Sequence, residues 1–154
     1  MALGGAGRVA GVAKHDGSAV RRRGSSPKLL ALNTALVSAT ARMTLARTRT
    51  DAAAWERLIL TAVGGHLWAH ADPADLGWWR DGNDEVDWVI RPGKLLRSRD
   101  EPVAIEVRAA AGDRTRGTAA FVKANPGART LTVGEGGIPI EDFLCVHPRE
   151  WLDG

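Results

Sequence analysis

The sequence predicts an α/β domain built on one mixed sheet flanked by helices. Three observations carry the prediction. Helical and strand periodicities follow one another along residues 28–154 in the order helix, three strands, helix, strand, helix, and such alternation packs as a sheet covered by helices. The stretch DAAAWERLILTAVGGHLWAH (51–70) repeats Trp55, Leu58, Ile59, Ala62, Val63 and Leu67 at three- and four-residue spacing, the stripe of an amphipathic helix. The stretch EVDWVI (85–90) alternates instead, with Val86, Trp88 and Ile90 on one side of a strand and Glu85, Asp87 and Val89 on the other.

The elements follow in order. Residues 1–27 are rich in glycine and serine and end in RRRGSSP, so they read as a basic linker with little core of its own. Lys28 to Leu30 fit a short strand or turn, and a helix begins near Asn33. Asp51 caps the long helix, because its side-chain oxygen can accept from the free amides of the first turn. Gly64 and Gly65 inside that helix cost helical stability and suggest a close approach to a neighbouring backbone. LGWW (76–79) and EVDWVI are strands around the turn RDGND. PVAIEVR is the third strand of the run. RGTAAFVKANPG is a helix stopped by Pro126 and Gly127. ARTLTVGEGG is a strand with its turn, and PIEDFLCVHPREWL is a short closing helix.

Composition narrows the function. The chain has 154 residues, a length suited to one domain with a modest core. A single cysteine, Cys145, excludes a disulfide framework and cysteine-rich zinc sites, and a reducing cytoplasm is the natural compartment. No apolar run reaches a membrane span. Charge is uneven: residues 1–50 hold nine Lys/Arg and one acid, Asp16, whereas the remainder carries a net −5. Arg21, Arg22, Arg23 and Lys28 form the densest basic cluster, either a nucleic-acid contact or a solvated linker. The phosphate-binding patterns GxxxxGK[ST] and GxGxxG on a strand are missing. His66 and His70 share a helix face but lack further ligands for zinc.

One constellation remains. Asp87 lies on one strand, and Glu106 and Arg108 share a face of AIEVR on the next. If the strands pair, the two carboxylates converge. They then suit Mg²⁺, a hard cation that takes oxygen ligands and completes its shell with waters and phosphate. A cation two residues after the second acid can balance charge or orient water. The alternative is a solvated strand face carrying a weak ion pair.

The segments SSPKLLALNTAL, VGGHLWA, WWRDGNDEVDWVI, AIEVR, FVKANPGARTLTVG and EDFLCVHPREWL together resemble a C-terminal domain of unknown function carried by many bacterial and archaeal AAA-type ATP-binding proteins. The resemblance runs from about Arg8 to Leu152. It implies a fold similar to PD-(D/E)xK nucleases, a restriction-endonuclease-like sheet with Trp55, Trp88 and Phe121 in the core. It also implies a metal site with a helix glutamate, a strand aspartate and a Glu-x-Lys strand. Asp87 takes the aspartate position and Glu106 the second acid. Arg108 stands where lysine is usual, and its planar guanidinium cannot act through a neutral amine. The helix acid falls at Leu60, which cannot bind metal, and Glu56, one turn earlier, is a possible substitute.

The resemblance therefore implies a remnant catalytic site of Asp87, Glu106 and Arg108, with Asp87 and Glu106 the only metal ligands it retains. No cofactor is expected unless the site is active, in which case it takes Mg²⁺. The ATPase module would lie outside this chain, and residues 1–27 would be the remnant of an upstream winged-helix region. A natural fragment, a truncated product and a stand-alone paralogue all fit. The expected function is a degenerate, non-catalytic nuclease-like accessory domain of an AAA-type ATPase system. Its candidate partners are nucleic acid, through Arg21, Arg22, Arg23 and Lys28, and the ATPase itself. The alternatives are an active Mg²⁺-dependent nuclease and a pure protein-interaction domain.

Overall fold

The computed structural model describes residues 9–16, 25–98, 100–109 and 115–153. Strand β1 (Val9–Lys14) and strand β2 (Lys28–Ala31) pair antiparallel. Helices α1 (Thr34–Ala41), α2 (Leu45–Thr50) and α3 (Ala52–His70) follow. Then come β3 (Leu76–Asp81), β4 (Asp84–Ile90) and β5 (Val103–Arg108), helix α4 (Thr115–Ala124), strand β6 (Arg129–Gly134) and two short helices, α5 (Ile140–Cys145) and α6 (Arg149–Leu152). The chain is α/β, with a six-stranded sheet in the order β2-β1-β3-β4-β5-β6. β1 with β3 and β5 with β6 run parallel, and the other neighbours run antiparallel, so the sheet is mixed.

Two apolar clusters lie on opposite faces of this sheet. On one face Ile59, Val63 and Leu67 of α3, Phe143 of α5 and Leu152 of α6 pack on Val12, Trp88, Ile90, Ile105, Val107 and Val133. On the other, Phe121 of α4 packs on Trp79, Val86, Val89 and Ala104. Ala104 between Val103 and Ile105 shows the strand alternation that separates the faces. Trp88 and Phe121 are fully buried as expected, and Trp55 packs half-buried at the edge of the larger cluster.

Four expectations need correction. Residues 9–14 are not linker: β1 bridges β2 to the rest of the sheet and buries Val12 completely. Helix α2 was not foreseen, because LARTRT carries no apolar stripe; Thr44 caps it, accepting from the Arg47 amide at 3.3 Å, and buried Thr48 anchors it. The closing helix is two helices, parted at Val146–Pro148 because proline has no amide to continue the ladder. The simple alternation of β4 also fails. Gly77 pairs with Val89 but Trp79 with Val86, so β4 holds one extra residue there. This bulge puts Val86 and Val89 on the α4 face and Trp88 and Ile90 on the α3 face.

Two glycines set the layer spacing. A Cβ at Gly64 would overlap the indole of Trp88, so α3 lies directly on β4 there. Gly65 faces no such contact; its nearest foreign atom would be the Leu32 carbonyl at 4.0 Å. On the other face a Cβ at Gly117 would collide with the Glu85 carbonyl, so α4 meets β4 through its backbone.

Candidate functional site

The bulge and the Gly117 contact frame a cavity of about 450 Å³ at the end of β4. It is lined by Lys28, Leu60, Asn83, Asp84, Glu85, Asp87, Glu106, Arg116 and Gly117. Trp88 pairs with Ile105, and the next residues in that register are Asp87 and Glu106. The ladder is not continued by backbone there. Instead Val107 N–H donates to Asp87 Oδ2 at 2.9 Å, so the carboxylate takes the place of a strand carbonyl. Asp87 is 8% and Glu106 3% exposed. The two acids therefore meet in one cavity, as their strand positions predicted.

The rim is neutralised from three directions. Glu85 accepts a hydrogen bond from Lys28 Nζ at 3.2 Å and is ion-paired with Arg80 Nη2 at 2.6 Å. Asp84 forms an ion pair with Arg116 Nε at 2.6 Å. Lys28 also lies 5.1 Å from the centroid of Trp88 and 5.9 Å from that of Trp78. Aromatic faces attract a cation and shield it from water, so this ammonium is held by two indoles and an acid.

The other expected residues divide. Leu60 lines the cavity wall, at the position where the resemblance implies a helix carboxylate. Glu56 does not line it. Arg108 does not line it either. Its Nη1 lies 3.8 Å from where a Cβ on Gly136 would stand, so the guanidinium reaches over the turn after β6. Adjacent numbers on one strand face did not put Arg108 beside Glu106's partner acid. Lys28, expected on an exposed basic cluster, points instead into the acidic cavity. Arg21, Arg22 and Arg23 lie outside the described residues.

Sequence reasoning missed Asp84, Glu85, Arg116 and Gly117. The charges sit in a turn and a helix start, where charged residues are ordinary, and no spacing links residue 28 to residue 85. Only the strand order brings them together. The histidines also exceed expectation: His66, His70 and His147 stack edge to face, with ring centroids 4.8 and 4.5 Å apart. His66 Nε2 donates to the Val146 carbonyl at 2.9 Å, and burial lowers its pKa. Among the described residues, no group of three His, Cys, Asp or Glu side chains is arranged to hold a metal ion, and no helix is long and apolar enough to cross a membrane.

No family model matches the chain, and no curated protein and no solved structure matches it at a significant level.

Proposed function

We propose that this chain is a nuclease-like α/β module that has lost all or nearly all catalysis and serves an AAA-type ATPase system as an accessory domain binding nucleic acid or protein. The observation that carries the reading is the make-up of the cavity. Leu60 supplies an apolar wall where a third carboxylate would be needed, one oxygen of Asp87 is engaged by the Val107 amide, and Arg108 reaches elsewhere. A divalent ion would meet two buried carboxylates, and neighbouring acids are already neutralised by Lys28, Arg80 and Arg116. Those pairs offset the negative charge that would otherwise draw a cation to the rim. The test is nicking of supercoiled plasmid with Mg²⁺ or Mn²⁺. The expected rate equals that of an Asp87→Asn variant. Metal-dependent nicking abolished by Asp87→Asn overturns the reading.

One observation favours a second reading, an active Mg²⁺-dependent nuclease. Lys28 brings an amine into the same cavity as Asp87 and Glu106, from a different strand than Arg108. The two acids offer hard oxygens that suit one Mg²⁺ with waters and a phosphate. The ion would supply Lewis acidity, while Lys28 would balance charge on the phosphate. In that case Lys28→Met removes nicking while the fold persists.

A further inference from the structure

The chain contains no acid between Asp16 and Asp51, and the described part of that stretch holds β2, α1 and α2, both helices packing on α3 to form a corner. Arg42 ends α1 in the left-handed conformation, with φ 51°. Arg47 and Arg49 occupy the last turn of α2, and Arg57 stands in the second turn of α3. All four are exposed. Among the described residues none of the four makes an ion pair, although Asp51 and Glu56 are close in sequence. Asp51 instead caps α3, accepting from the Ala54 amide at 2.9 Å.

Six other described arginines differ. Arg80, Arg116 and Arg149 pair with acids, and Arg91, Arg97 and Arg129 donate to backbone carbonyls. Unpaired like charges on one corner repel one another and gain only when an external anion arrives. Arg49 lies over the Trp55 ring, 5.4 Å from its centroid, which holds one guanidinium in place while its edge stays free to donate.

We infer that this arginine corner docks the phosphodiester backbone of a nucleic acid. The inference rests on the nucleic-acid half of the proposed function and names the surface that performs it. Arginine forks match phosphate oxygens two at a time, a geometry that lysine lacks. An acidic membrane fits less well. Leu45 is the one large apolar side chain exposed on α2, whereas interfacial helices bury a broad apolar face. Arg57 stands about one helical turn before Leu60, a residue of the cavity wall.

The experiment measures anisotropy of labelled 20-mer duplex and single-stranded DNA with the full chain at several salt concentrations. The slope of log K against log salt is expected at about −3 to −4 for four phosphate contacts on duplex. Arg42→Ala, Arg47→Ala and Arg57→Ala together should weaken binding at least tenfold at low salt and flatten the slope by about 3. Arg21, Arg22 and Arg23 changed to Ala serve as the comparison. If that variant loses binding and the corner variant does not, the corner is overturned and the nucleic-acid reading stands. If the wild type binds neither DNA at low salt, both fall and the protein-interaction reading remains. Binding to phosphatidylserine vesicles alone, lost in the corner variant, also overturns the inference.

Discussion

The cavity at the end of β4 and the arginine corner of α1–α3 treat charge in opposite ways. In the cavity four acids and two cations line one space, with Asp87 and Glu106 buried and Asp84 and Glu85 half-buried, and each of these two rim acids has a cation within 3.2 Å. At the corner four cations stand in water, and none is ion-paired among the described residues. Burial explains the difference. A charge removed from water must find partners inside the protein or it destabilises the fold, whereas an exposed charge has no such need. A dense set of buried charges is therefore weak evidence for function. A loose set on the surface is free to serve a partner. The resemblance of the strand motifs to a metal site draws attention to the first region; the physical argument for binding is better at the second.

That contrast can be broken by stability measurements, and the largest effect belongs to the cavity. Gly117→Val would drive a side chain into the Glu85 carbonyl and part α4 from β4. Overpacking against backbone costs about 3 kcal/mol, read as a shift in the urea midpoint. A loss under about 1 kcal/mol would mean that α4 adjusts freely and that the cavity is not rigidly framed. Asp87→Ala comes next. It leaves the Val107 amide buried without its acceptor, a loss of about 1–3 kcal/mol. Asp87→Asn keeps an acceptor oxygen and should cost clearly less. Equal losses for Ala and Asn would show that the charge, rather than the hydrogen bond, holds β4 to β5.

Much of this was legible in the sequence, for stated reasons. The α3 stripe, the Asp51 cap and the Asn33 start depend on neighbours within one or two helical turns, and each appears as expected. The meeting of Asp87 and Glu106 was legible because strand pairing follows from a shared hairpin. The sheet role of residues 9–14 was not, since VAGVAK is short, glycine-bearing and set in a linker-like composition. The β4 bulge has no marker residue in its strand, and it is what reassigns Val86 to the α4 face. Lys28 was misread because its partners, Glu85, Trp78 and Trp88, lie fifty or more residues away.

The histidine cluster offers a smaller effect and stands outside both regions. His66 joins the end of α3 to the chain between α5 and α6 through Val146, and it faces Phe143, His70 and, beyond it, His147. Lys94, Arg149 and Glu150 are the charged groups around His147. Burial lowers the His66 pKa, with the neighbouring histidines adding to it and the Val146 bond opposing it. The folded state then binds the proton less readily than the unfolded chain, whose histidines titrate near pH 6.5. The stability it contributes is present above that pH and is lost as pH falls through the depressed folded value. His66→Gln keeps a donor for Val146 but does not titrate. The wild type should lose more of its thermal midpoint between pH 7.5 and pH 5 than this variant loses, on the order of the ordinary histidine range. Parallel losses would remove His66 from the account.

The smallest effect is expected at the corner, and it is the sharpest test of the contrast. Arg42, Arg47 and Arg57 are exposed, and no ion pair holds them among the described residues, so replacing any of them with Ala should change stability by no more than about 0.5 kcal/mol. Relief of mutual repulsion can make the sign favourable. Arg49 is the exception, because its guanidinium covers Trp55. An exposed cation–π contact contributes about 0.5–1 kcal/mol, so Arg49→Ala should lose that much, and Arg49→Lys should recover part of it. A urea series on the four single variants decides the matter. If Arg42→Ala or Arg47→Ala costs more than about 1 kcal/mol, those side chains hold the helices together. The corner would then be structural in the same sense as the cavity, and the distinction between bound and available charge would fail.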